Sequence, residues 1–311
     1  MADVKITAAM VGALRDKTGA GLMDCKRALV ETNGDEEAAI VILREKGLAV
    51  AAKKADRVAA DGLVAVLTKG ERVAMVEVNS ETDFVAKNAT FVEFVNGLLR
   101  TILEKSPADL EALKAEKFDG TEFTVEEKVK DMIFTIKEKI DVRRFIIVEG
   151  TTTTYVHGNG ATGVIVKFDA DATAKSNPGF AEFAKNIALQ LGAFSTTPYL
   201  DRESVPTAVI AQEKEIISEQ IKNDPKNASK PDAIIEKMAI GRLGKFYEEN
   251  CLVDQAYIKD DSLTVGKYVE QTAKAFGGSI KVTGFVIYNK GEGIEKRVDN
   301  LDEEVAKMLN K

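Results

Sequence analysis

One succession of residues occurs twice in this chain and limits what it can fold into. Gly62-Leu63-Val64-Ala65-Val66-Leu67 is β-prone, Lys69-Gly70-Glu71 makes a turn, and Val73 to Val78 returns as a second β-prone run. A helix follows, its start predicted by the capping-box spacing of Thr90-Phe91-Val92-Glu93. Later, Thr151 to His157 is β-prone, Gly158-Asn159-Gly160 turns, and Gly163 to Phe168 returns. The helix after it carries Phe180-Ala181-Glu182-Phe183, against Phe91-Val92-Glu93-Phe94 in the first copy. The fold class is therefore α+β, with a core of two related subdomains whose strands are antiparallel; two copies do not make a solenoid. Between the copies, Thr124-Val125-Glu126-Glu127 caps another helix with Val129, Ile133, Ile136 and Ile140 as its buried stripe. Phe145 to Val148 then reads as a third strand of the first sheet.

The flanks follow other rhythms. Residues 1–55 read as three short helices. Thr7 caps the first, Met10, Val11 and Leu14 share its face, and Thr18-Gly19-Ala20-Gly21 ends it. The second groups Leu22, Cys25 and Leu29 and stops at Asn33-Gly34. Asp35 opens the third, Glu36 and Glu37 suit its first turn, Ile42 and Leu43 supply its apolar side, and Gly47 closes it. An Ala- and Lys-rich link then runs from Ala49 to Ala60. So small a bundle has a thin core and suits docking better than chemistry. In residues 207–247, Val209 and Ile216, and Ile210, Ile217 and Ile221, recur at helical spacing. After a turn from Asn223-Asp224-Pro225 to Lys230-Pro231-Asp232, Ile234, Ile235, Met238 and Phe246 mark a second helix. This αα-hairpin either projects as a short antiparallel coiled coil or packs on the core, which spacing does not separate. Val282 to Tyr288 is a strand, Gly291-Glu292-Gly293 a turn, and Asn300 to Leu309 a terminal helix. The expected divisions are 1–55, a docking bundle; 56–148, the first core subdomain; 149–206 with 248–288, the second; 207–247, the hairpin; and 289–311, a C-terminal helical module.

Composition narrows the function. Lys plus Arg number 43 and Asp plus Glu 50, a net charge of −7, which argues against a general nucleic-acid binder. Cys25 and Cys251 stand far apart with no zinc-ligand spacing, so no metal and no cofactor is expected, and reduced thiols are the simpler reading. A single histidine, His157, strains the common triads and multi-histidine metal sites. The N-terminal residues carry no secretory pattern, and no apolar run approaches the ~20 residues needed to span a bilayer. A cytoplasmic location follows as an expectation.

Three segments imitate sites. Gly158-Asn159-Gly160-Ala161-Thr162-Gly163 matches GxGxxG, but β-branched Val164-Ile165-Val166 follows where a dinucleotide site needs a helix N-terminus, so a hairpin turn is the better reading. Lys17-Thr18-Gly19-Ala20-Gly21 puts its Lys and hydroxyl before the glycines, the reverse of a phosphate loop. His157 ends a β-prone run beside a turn, without a visible Ser, Asp or Cys partner, and is not a proposed base. Asn79 to Asn88 is more informative. It forms an elbow between strand and helix, and Phe84 there stands among Asp83, Lys87 and Asn88 rather than in an apolar run. Such a phenylalanine is either a core residue or an anchor held for a partner's pocket, and periodicity leaves both open.

In order along the chain stand Leu14 to Lys26 (LRDKTGAGLMDCK), Ala59-Ala60-Asp61-Gly62, Glu77 to Ala86 (EVNSETDFVA), Asp141-Val142-Arg143-Arg144, Tyr155-Val156-His157-Gly158 and Gly291 to Lys296 (GEGIEK). With these motifs essentially the whole chain resembles the bacterial elongation factor Ts family, exchange factors for elongation factor Tu. Leu22 stands where family members often carry methionine. The resemblance implies a first module like a ubiquitin-associated (UBA) domain, a two-subdomain core and a coiled-coil protrusion. It implies that Arg15, Leu22 and Met23 grip a helix of the partner's nucleotide-binding domain. Thr82, Asp83, Phe84 and Val85 would form the wedge that dislocates Mg²⁺, with Phe84 entering an apolar pocket. His157 would support the displaced phosphate-binding region or contact nearby helices, and the segment from Gly291 would add a second grip. The implied partner is elongation factor Tu, GDP-bound or nucleotide-free, with no nucleic acid and no membrane; a homodimer through the hairpin stays open.

The residue inventory fits a factor that breaks no covalent bond. Such a protein needs contacts that are better with the empty partner than with the loaded one, and the two affinities are reciprocally linked. Burying one phenylalanine supplies about 1.5–3 kcal/mol, and tenfold faster release requires about 1.4 kcal/mol. Phe84 alone thus covers one or two decades of acceleration. The rival readings are a passive holding module for a translation GTPase, which binds without accelerating release, and an NAD-dependent oxidoreductase built on Gly158 to Gly163.

Overall fold

The computed structural model describes residues 4–227 and 230–295. Helices α1 (Ala8–Thr18), α2 (Leu22–Glu31) and α3 (Glu36–Lys54) form an N-terminal bundle. Thr7 caps α1 by accepting from the Met10 N–H, and Asp35 caps α3 by accepting from the Ala38 N–H. Val11, Leu14, Cys25, Leu29 and Leu43 fill the bundle, and Phe134 of a later helix completes its core. Two details differ from the sequence reading. Gly47 does not close α3, which continues to Lys54; Gly47 is buried against Phe134, and that packing outweighs the ~1 kcal/mol that glycine costs inside a helix. Leu22 does not join Cys25 and Leu29 inside, because it opens α2 and the buried face begins one turn later.

The first half continues with β1 (Asp61–Lys69), β2 (Arg72–Ser80), α4 (Asp83–Ala86), α5 (Ala89–Lys105), α6 (Leu110–Ala115), α7 (Val125–Ile136) and β3 (Ile140–Glu149). The strands pair antiparallel in the order β1-β2-β3, with Asp61 opposite Ser80 and Arg72 opposite Glu149. Thr124 and Glu127 make the expected reciprocal capping box on α7. The cap of α5 is Asn88 rather than Thr90, because the chain has already turned helically as α4; the Asn88 side chain accepts from the Thr90 and Phe91 N–H groups. Ile140 leaves the expected α7 stripe, since Lys137, at φ 65°, ends the helix in the left-handed region and Ile140 opens β3.

The second half contains β4 (Thr151–His157), β5 (Thr162–Ala170), α8 (Ala172–Ser176) and α9 (Phe180–Ala193). Helices α10 (Thr207–Asn223) and α11 (Asp232–Asn250) follow. The chain then returns through β6 (Ala256–Tyr257), β7 (Asp260–Thr264), α12 (Val265–Phe276) and β8 (Ile280–Asn289), which completes a second antiparallel sheet, β4-β5-β8. Helix α12 went unread in the sequence, although Thr264 caps it and Gly277 ends it in the left-handed region.

The two sheets meet face to face. Val64, Val73 and Met75 of the first pack on Ile165 and Tyr288 of the second. Helices α5 and α7 cover the outer face of the first sheet and α9 and α12 that of the second, giving layers of helix, sheet, sheet and helix. The GxGxxG segment is the β4–β5 turn. A Cβ on Gly160 would lie 2.7 Å from Leu63 Cβ, and one on Gly163 would lie 2.5 Å from Val64 Cγ1. These glycines let the sheets approach, and the Val64 N–H donates to the Gly160 carbonyl across that contact. Helices α10 and α11 share a separate small core of Ile217, Ile221, Ile235, Ala239 and Leu243, with α11 leading into the turn at Leu252–Asp254, while Ile216 and Ile234 face outward.

Among the described residues no helix is long and apolar enough to cross a membrane, and no group of His, Cys, Asp and Glu side chains could hold a metal ion. The helix expected over Asn300–Leu309 lies outside the described residues.

Candidate partner-binding site

The elbow between β2 and α5 is where an apolar side chain is most conspicuously out of place. Phe84 is 79% exposed, the most exposed large apolar side chain among the described residues. It sits on α4, a single helical turn, and that turn is fixed on every side. The Thr82 N–H donates to Glu138 Oε2 at 3.0 Å, and the Thr82 hydroxyl donates to Glu138 Oε1 at 2.7 Å. The Ser80 hydroxyl donates to the Thr82 carbonyl at 2.9 Å. Asp83 accepts from Lys87 at 2.9 Å along the exposed side, and this ammonium holds the Asp83 carboxyl below the usual carboxylate range. Val85 turns inward and is buried in the core under β1 and β2. Its side chain roots the loop, while Asp83 and Phe84 are exposed and Thr82 is half-buried.

Glu81 ties the loop to the N-terminal bundle. Its carboxylate accepts from the Lys139 N–H at 2.6 Å, pairs with Arg57 at 3.1 Å, and lies 3.5 Å from Lys54 at the end of α3. Burial pushes the Glu81 carboxyl up, but the Lys139 N–H and the two cations more than offset it, so the group lies below its ordinary value.

On β2, ahead of the loop in sequence, lies a fully buried carboxylate, Glu77. It accepts from Arg143 at 3.0 Å, from Arg144 at 2.6 Å and from the Gly291 N–H at 2.7 Å. Arg144 stacks 4.1 Å over the Tyr288 ring and also reaches Glu292 at 3.2 Å. Lys290 pairs with Asp61 at 2.7 Å. Gly291 closes this latch at φ 68°, where a Cβ would lie 2.2 Å from the Ala60 carbonyl oxygen. Desolvation raises the Glu77 carboxyl, yet the Gly291 N–H and the two guanidinium groups overcome it and leave it below its ordinary value.

The other residues nominated from sequence lie on other elements. Arg15, Leu22 and Met23 are exposed on the N-terminal bundle, Leu22 at 50% and Met23 at 63%. His157 is exposed at the end of β4, where Nδ1 lies 3.0 Å from the Tyr155 hydroxyl. The sequence reading assigned no role to Glu77, Glu81 or Glu138. Glu77 and Glu81 stand inside the Glu77–Ala86 motif, whereas Glu138 carries no local signal, because its partner is distant in sequence.

The family model for elongation factor Ts matches residues 81–292. The elongation factor Ts of Syntrophotalea carbinolica is 46% identical over 98% of this chain and 99% of its own length. Those of Clostridium kluyveri and Clostridium botulinum strain Alaska E43 are each 43% identical over 98% of this chain, covering 99% and 100% of their own lengths. The chain belongs to the elongation factor Ts family. It is thus a member of a family of translation elongation factors, and the family match runs from Glu81, which braces the exposed loop, to Glu292, in the latch. Three segments distant in sequence, around Glu77, Arg143-Arg144 and Gly291-Glu292, converge here on one buried carboxylate.

Proposed function

We propose that this chain is a guanine nucleotide exchange factor that binds elongation factor Tu carrying GDP and promotes release of GDP and Mg²⁺, after which GTP rebinds. The observation that carries the reading is Phe84, exposed on a braced helical turn. Leaving a phenyl ring in water forgoes about 1.5–3 kcal/mol that burial would supply. A partner that buries it recovers that energy, and if the ring fits only the nucleotide-free conformation, binding shifts the partner toward it. Asp83 and Lys87 beside the ring give the rim of such a contact opposite charges. Leu22 and Met23 supply a second apolar surface for docking, with Arg15 exposed on α1 of the same bundle. His157 adds a contact from the second sheet, and the segment from Gly291 adds another grip on the nucleotide-binding domain. The N-terminal bundle serves as the UBA-like docking module in this reading, and the hairpin as a coiled-coil protrusion. No covalent bond changes, so no nucleophile, metal or cofactor is required of this chain.

The test is stopped-flow release of a fluorescent GDP from elongation factor Tu. Release accelerated at saturating concentrations of this protein supports exchange. A complex that forms while release stays at its intrinsic rate makes the protein a passive holding module.

A further inference from the structure

Glu138 lies outside the sequence motif that carries Phe84, yet it is the group that grips the loop. It stands in the short crossing from α7 to β3, between Lys137, the C-cap of α7, and Lys139, which precedes β3. Both sides of that crossing are anchored, since Ile133 and Ile140 are buried in the first core. The carboxylate therefore projects from a rigid base, and both its oxygens engage one residue, the N–H and the hydroxyl of Thr82. Thr82 occupies the N-cap position of α4, but its side chain makes no capping hydrogen bond to that helix. Its hydroxyl serves Glu138 instead. A threonine diverted from capping, and a carboxylate spending both oxygens on it, are an arrangement for fixing direction rather than for stabilising a helical turn.

We infer that Glu138 is a positioning residue for Phe84, its two hydrogen bonds to Thr82 presenting the phenyl ring in one orientation before the partner arrives. The inference rests on the exchange reading above. A loop that is free until binding must lose backbone entropy as the ring inserts, and Glu138 removes that loss in advance. Its effect falls on insertion and not on docking, because its carboxylate holds Thr82 and makes no hydrogen bond to Arg15, Leu22 or Met23.

The experiment measures GDP release from elongation factor Tu as a function of exchange-factor concentration for Glu138→Ala, Glu138→Gln, Phe84→Ala and the double variant Glu138→Ala/Phe84→Ala. Glu138→Ala should lower the saturating rate about tenfold, with the half-saturating concentration little changed. Glu138→Gln should retain most of the rate, since its amide oxygen can accept from the Thr82 N–H and its amide N–H can donate to the Thr82 hydroxyl. In the Phe84→Ala background, Glu138→Ala should cost nothing further, because the ring it aims is gone. The inference is overturned alone if Phe84→Ala is slow while Glu138→Ala releases at the wild-type rate. It is likewise overturned if Glu138→Ala slows release equally with and without Phe84, or if Glu138→Gln is as slow as the alanine variant. Phe84→Ala accelerating release as fully as the wild type overturns the role of the ring and this inference with it, whereas release that the wild-type protein does not accelerate overturns the exchange reading.

Discussion

In the second half of the molecule, the chain leaves β5 at Asp171, whose carboxylate caps α8 through the Ala174 N–H and also accepts from the Ser279 N–H at 2.7 Å. The connector that follows contains no large apolar residue. In the first half, the chain leaves β2 for an equivalent short helix, yet Thr82 makes no capping bond and Phe84 stands in solvent. The strands before these connectors differ in the same way. Both sheets have a register shift, between Glu77 and Val78 in one and between Lys167 and Phe168 in the other. Glu77 is buried in a network of charges, whereas Lys167 is exposed. One architecture thus carries two sets of priorities. At this connector the second half follows the local rules of capping and burial, and the first departs from them while carrying a buried ionic network at its bulge.

Substitutions can break or sharpen this contrast. The largest effects should come from the paired helix phenylalanines, Phe91 and Phe183, both nearly fully buried. Alanine at either should cost about 3–5 kcal/mol in denaturant unfolding. Next is Glu77→Gln, which leaves Arg143 and Arg144 facing a neutral amide and should cost about 3 kcal/mol. The Lys167→Gln exchange at the corresponding bulge should stay within about 0.5 kcal/mol. Equal costs at the two bulges would erase the distinction between them.

Acid should report the same network. The folded Glu77 and Glu81 carboxyls lie below their ordinary value of 4.5, so the stability they contribute is present at neutral pH. It is lost as pH falls below 4.5 through the folded values. Glu77→Gln should therefore show a flatter fall in melting temperature with acid than the parent. A parallel fall in both proteins would remove Glu77 from the account. The caps should show modest effects: Asp171→Ala should cost about 1 kcal/mol of stability. Thr82→Ala should cost less than this and slow GDP release instead, which melting curves and release traces on the same two variants would separate.

Much of this arrangement is readable from local sequence. The twin hairpins, the Thr124–Glu127 capping box and the turn at Gly158–Gly160 depend on residues close together in the chain, and spacing reports them. The α3 boundary was misread because Gly47 is held in helix by Phe134, a contact no local pattern contains. Phe84 was ambiguous for a related reason. Its exposure is decided by where Val85 turns and by what Glu138 holds, and Glu138 lies far from Thr82 in the chain. Ionic partners such as Glu77 with Arg143, Arg144 and Gly291 are brought together only by strand pairing and the return of β8. Spacing carries the frame of this fold, while the site depends on contacts between segments that the frame itself assembles.

The most direct measurement compares wild type with Phe84→Ala at saturating concentration in stopped-flow release of GDP from elongation factor Tu, with melting temperatures recorded alongside. An exposed ring contributes little to folding, so the variant should melt with the parent while release slows by about one to two decades, the share that burying one phenylalanine can supply. A variant that melts normally and releases GDP at the wild-type rate would contradict the account.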